Sequence, residues 1–150
     1  HLVRDPYEKF IDIDDSTIED KEGNPERIPN KGSRIKRDYS LPDKIKSKYS
    51  NKCQVCGVQL KSPCGDIAVG AHIKGLGKPH KGPDKLSNML CLCPNHHAQF
   101  DAFSFYIEPK NLEIIHLKGF EGKKIKIKHK IDKKYLEYHK EIFNEKNSNV

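Results

Sequence analysis

The chain has 150 residues, 35% of them hydrophobic and 33% charged, with no tryptophan and a mean hydropathy of −0.81. That length allows one domain of ordinary size, or a small domain with long arms. So polar a chain can bury only a small core and needs a staple to hold it. No apolar run approaches the roughly 20 residues of a membrane-crossing helix, which excludes a spanning segment. No signal-peptide pattern opens the chain, so a cytoplasmic location is expected, and the start at His1 suggests a fragment or a processed chain. The formal charge of +7 is unevenly placed: three basic and nine acidic side chains in residues 1–26 leave +13 on the rest. A basic body of that size suits a polyanion such as DNA, although a lysine-rich solvated surface gives the same balance.

Residues 1–37 read as an acidic run, Asp12 to Asp20, and a linker punctuated by Gly23, Pro25, Pro29 and Gly32. Arg34, Lys36 and Arg37 then open the basic body. Ser40 is a candidate cap for a helix reaching about Tyr49, with Pro42 in its first turn and Leu41, Ile45 and Tyr49 on one face. Cys53 and Cys56 follow, and Gly57 permits a tight turn. Residues Ile67–Ile73 predict a strand, and the Gly/Pro-rich stretch from Gly75 to Pro83 predicts a loop. Met89–Leu92 predicts a second strand, and Pro94 can be the first residue of a helix to about Ala102. Phe103–Glu108 and Leu112–His116 read as a hairpin across Pro109, Lys110 and Asn111. Residues 124–130 alternate as a strand, Ile125 and Ile127 on one face and Lys124, Lys126, Lys128 and Lys130 on the other. Asp132 is a candidate cap for a last helix with Tyr135, Leu136, His139 and Phe143 on its buried stripe.

The five cysteines are Cys53, Cys56, Cys64, Cys91 and Cys93. An odd count without a signal peptide argues against a disulfide framework. The pairs Cys53-x-x-Cys56 and Cys93-x-x-His96 together offer four ligands to one tetrahedral Zn²⁺. A C-x-x-C pair also suits redox chemistry, but no thioredoxin-like βαβ pattern surrounds this one. Cys91 lies two residues from Cys93 on the same strand and is expected to face the same side, which makes it the rival for that ligand place. On the plainer reading, Cys91 and Cys64 are small buried hydrophobes.

Residues 71–101, AHIKGLGKPHKGPDKLSNMLCLCPNHHAQFD, resemble the HNH endonucleases, the ββα-metal nucleases, with the three family letters on His72, Asn88 and His97. The string looks like the branch found behind SRA domains, readers of modified cytosine, in bacterial restriction enzymes, and the likeness extends more weakly over 34–140. It implies an α+β fold: a small zinc-stapled ββα-metal core over 38–106, extended by the hairpin, basic strand and helix of 107–150. It also implies metal-dependent hydrolysis of DNA. His72 would activate the water, as an imidazole near neutral pH can. Asn88 would orient that histidine, and His97 would ligate a catalytic Mg²⁺ or Mn²⁺. Asp101, one turn on from His97, is a candidate second ligand.

One departure stands out, because many family members place a metal ligand immediately before the base histidine and this chain has Ala71. Asp66, His80 and Asp101 are the candidates to replace it. His80 in the Gly/Pro loop, with Lys124, Lys126 and Lys128, offers contacts to backbone phosphates, and Arg34, Lys36, Arg37, Lys44, Lys46 and Lys48 offer more. All of them are as readily solvated surface. Phosphate contacts carry no sequence information, so specificity is expected from an upstream SRA-like domain, and cutting both strands would need a homodimer. Ala71 also keeps alive the alternative of a non-catalytic, zinc-stabilised module that binds DNA or protein.

Overall fold

A computed structural model describes residues 39–148. The acidic segment, the linker and the basic residues Arg34, Lys36 and Arg37 lie outside the described residues. In chain order the elements are α1 (Leu41–Lys48), β1 (Val69–His72), a 3₁₀ turn (Leu86–Asn88), β2 (Met89–Leu92), α2 (Pro94–Asp101), β3 (Tyr106–Ile107), β4 (Ile114–Ile115) and α3 (Lys133–Ser148). This is a small α+β fold.

The centre is the antiparallel pair β1–β2, in the register Val69 opposite Leu92 and His72 opposite Met89. Every residue of β2 is buried, because the ribbon is covered on both faces. Leu90 and Leu92 point into the main core with Ala71, Phe100, Phe105, Ile107, Ile114 and Leu136. Met89 and Cys91 point the other way, into a smaller core with Leu41, Ile45 and Tyr49. The second face is closed by α1, and Gly70 permits the close approach: a Cβ there would lie 2.9 Å from both Ile45 Cγ2 and Pro42 Cα. The expected face of α1 is thus the buried one. Ser40 stands at its N-cap position, but its side chain does not cap the helix.

Two predicted extents are corrected. The hairpin pairs only over Tyr106–Ile107 and Ile114–Ile115, because Phe103 (φ 57°) and His116 (φ 72°) adopt left-handed backbone that no ladder continues through. The basic strand is absent, and only Lys124 makes a bridge, to Glu113. The backbone of 125–128 is shared among scattered partners instead, and Ile125 N donates to Leu112 O. Lys126 N donates to Gln54 O and Lys126 O accepts from Gln54 Nε2, while Lys128 N donates to Tyr49 Oη. Ile125 is buried, as the alternation predicts, but Ile127 is 43% exposed. The last helix follows expectation. Asp132 Oδ1 accepts from Lys134 N at 3.2 Å, and Tyr135, Leu136, His139 and Phe143 are all buried.

Candidate active site

Two clusters of side chains flank the start of α2. The first consists of Cys53, Cys56, Cys93 and His96, whose ligand atoms all lie within 4.8 Å of one another. Cys53 N donates to Val58 O and Gly57 N to Cys53 O, and Gly57 takes φ 76°, so the chain folds back sharply behind the first two thiols. Cys93 is the N-cap residue of α2 and His96 lies in its first turn. His96 Nδ1 is 3.3 Å from Cys93 Sγ and 3.7 Å from Cys53 Sγ, and Cys56 Sγ is 4.0 Å from Cys93 Sγ. A tetrahedral Zn²⁺ with ordinary Zn–S and Zn–N bonds sets its ligands about 3.5–3.8 Å apart, so the four residues fit such an ion.

Burial, then the nearby Cys53 and Cys93, push the Cys56 thiol up to about 12. A bound cation would offset that crowding. Cys91 is not part of the cluster: β2 ends at Leu92, and the turn into α2 returns Cys93 to the main-core side while Cys91 faces α1. The expectation that Cys91 and Cys93 share a side is therefore wrong. Cys91 is the small buried hydrophobe of the plainer reading, whereas Cys64 is exposed.

The second cluster lines a cleft. His72 closes β1, and α2 carries His97 and Asp101 on one face, with His97 Nε2 2.9 Å from Asp101 Oδ2. His72, His97 and Asp101 line one hollow of about 250 Å³ together with Ala71, Gly75 and Gly77. An adjoining hollow of about 270 Å³ is lined by His72, Asp101, His80, Phe103, Tyr138 and His139. Of the candidates to replace a ligand at Ala71, Asp101 and His80 reach this region. Asp66 does not: its carboxylate is taken by Gln59 Nε2 at 2.9 Å and Lys61 Nζ at 3.5 Å. The linings of the two hollows include none of Lys124, Lys126 and Lys128, which are exposed on the segment tied to Gln54.

Asn88 is fully buried, and its side chain fastens the loop that separates the strands. Its Oδ1 accepts from Lys74 N at 2.8 Å, and its Nδ2 donates to Lys74 O at 2.9 Å and Pro83 O at 2.8 Å. None of these bonds reaches the His72 ring; they clasp both ends of the loop. Gly82 is required inside it, since a Cβ there would sit 2.2 Å from Lys74 O. The partner of the His72 ring is Asp84, with His72 Nε2 and Asp84 Oδ1 2.8 Å apart. Sequence reasoning missed Asp84, Tyr138 and His139. Asp84 meets His72 across the loop, and Tyr138 reaches His80 Nδ1 at 2.6 Å from a helix 58 positions further on, so no local spacing marks either of them.

A model of the HNH endonuclease family matches residues 53–108. Residues 53–108 form a domain of the HNH endonuclease family. Among solved structures it is similar to "Modification dependent TagI restriction endonuclease", at 37% identity and a TM-score of 0.65, over 71% of this chain and 38% of that one. The chain thus spans well under half the length of that protein. No curated protein matches. The HNH match takes in both zinc-type knuckles, His72, Asn88, His97 and Asp101. It stops before α3, so Tyr138 and His139 come to the cleft wall from outside the HNH segment. No helix among the described residues is long and apolar enough to cross a membrane.

Proposed function

We propose that this HNH domain is a metal-dependent DNA endonuclease, the cleavage part of a restriction enzyme that acts on modified DNA. The observation that carries the reading is the shared cleft, in which His72 from the strand pair faces His97 and Asp101 from the helix. His72 takes a proton from a water molecule, whose oxygen attacks the phosphorus of the sugar–phosphate link while the 3′ oxygen departs. The His97 and Asp101 ligand atoms, 2.9 Å apart, suit neighbouring positions around a small octahedral cation, whose bonds of about 2.0–2.1 Å set neighbours roughly 3 Å apart. Mg²⁺ or Mn²⁺ held there would supply charge neutralisation at the phosphate and the leaving oxygen.

Asn88 keeps the loop closed beneath the cleft. His80, held through Nδ1 by Tyr138, presents its other nitrogen to a phosphate oxygen. Lys124, Lys126 and Lys128 rest on the phosphate backbone, position the duplex, and read no bases. Cys53, Cys56, Cys93 and His96 would hold a structural zinc that supplies folding energy and no chemistry to the cleft. Support for modified DNA as substrate is the likeness to TagI. Base reading falls to an upstream SRA-like domain, and paired cuts to a homodimer.

Incubating plasmid with the zinc-loaded chain and Mg²⁺ or Mn²⁺ tests the assignment. The wild type should nick or cut, and His72→Ala should lose at least about 100-fold in rate, the scale of a general base, while keeping its zinc. Undiminished cutting by His72→Ala would remove His72 as the base. Salt-sensitive DNA binding with no nicking under either metal would favour a non-catalytic module, a reading that Ala71 keeps open.

A further inference from the structure

We infer that Asp84 is the residue that orients His72 and fixes which of its ring nitrogens carries the proton. The inference rests on the reading of His72 as the base. The two groups are 2.8 Å apart, with side chains only 20% and 14% exposed. An ionised carboxylate only accepts hydrogen bonds, so the nitrogen facing it, Nε2, must hold its hydrogen. The lone pair is then on Nδ1, and Nδ1 is the atom that takes the proton from water. When it does, the imidazolium lies against a carboxylate in partly dry surroundings, where the pair is stronger than in water.

His72 lines both hollows and Asp84 lines neither, so Asp84 acts through His72. Its position is set by the clasp described above. Asn88 Nδ2 holds Pro83 O at 2.8 Å, and Asp84 is the next residue. The family asparagine thereby reaches the histidine through the backbone and an aspartate. The other titratable groups around the two hollows are His97 and Asp101 from α2, His80 from the loop, and Tyr138 and His139 from α3. Among the hydrogen bonds and ion pairs described for the His72 ring, the one to Asp84 fixes it.

The test uses the full zinc-loaded chain, with Asp84→Ala and the near-isosteric Asp84→Asn. Long-range ¹H–¹⁵N correlation spectra of the neutral His72 ring report its tautomer without any need for activity. Wild type should show the Nε2–H form, and Asp84→Ala a mixture of both forms. A wild-type ring protonated on Nδ1, or a tautomer unmoved in Asp84→Ala, would overturn the inference. In the cleavage assay kcat should fall about 10- to 100-fold in both variants, the usual scale for losing a group that orients another, with KM for DNA and zinc content unchanged. If His72→Ala loses cutting while both Asp84 variants keep full kcat, the inference fails and the nuclease reading stands. If the wild type never cuts, the nuclease reading fails, and the tautomer spectra still decide the role of Asp84.

Discussion

His139 shows how much one side chain can commit. It is 2% exposed, stacked between Phe100 at 3.8 Å and Phe103 at 4.6 Å, with Nε2 2.9 Å from Phe100 O and with Nδ1 lacking a hydrogen-bond partner. Burial pulls its pKa from 6.5 down to about 4. The unfolded chain therefore binds a proton as pH falls through 6.5, and the folded chain does not until about 4. Stability tied to the neutral ring is present above the upper value and is lost across that window, amounting to roughly 3 kcal/mol at about 1.4 kcal/mol per pKa unit. In His139→Phe, which keeps the stack, that share of the acid sensitivity should disappear. Urea unfolding of both zinc-loaded proteins across the window checks this, and parallel pH curves would refute it. The burial of His139 was legible in the helical spacing with Tyr135, Leu136 and Phe143. Its place in the cleft wall was not, because that depends on how α3 docks. Asn88 is a similar case: the residue was legible, but its partners are loop backbone that no spacing reveals.

At the scale of elements, the short pieces cannot hold one another by area alone. Strands of two and four residues and eight-residue helices are marginal without further support. With zinc bound, the four-ligand cluster would tie the turn after α1 to the first turn of α2, and so would fix the helix that carries His97 and Asp101. Stripping zinc with a chelator, or Cys93→Ser, should cost most of the cooperative unfolding transition, since metal-binding energy is here folding energy. Thermal melts followed by circular dichroism would show it, and an unshifted melting temperature after metal removal would sink the staple. The elements beside this cluster were legible because each is marked locally: Pro94 opens α2, Gly57 turns the knuckle, and Met89–Leu92 is an unbroken apolar run. Residues 124–130 misled because alternation needs a partner strand to become a ladder. Here Gln54 and Tyr49 capture the backbone first.

At the scale of the molecule, a formal charge of +7 suits a polyanion, and the proposed nuclease raises the question of which lysines meet it. Lys124, Lys126 and Lys128 are exposed, and the backbone of Lys126 is pinned to Gln54, the residue after Cys53. The backbone of Lys126 and Lys128 is thereby held, while the ammonium groups stay in water. Such a row pays little entropy to sit along a phosphate backbone. Replacing all three with alanine should weaken binding to duplexes of any sequence by a similar factor. Each lost phosphate contact removes about 0.9 from the slope of log affinity against log salt, so the triple variant should be shallower by about 2 to 3. Titrations of a labelled duplex at several salt concentrations give both slopes. An unchanged slope would place the phosphate track elsewhere, with the exposed Lys44 and Lys48 of α1 next in line, and a loss confined to one sequence would mean that the row reads bases after all.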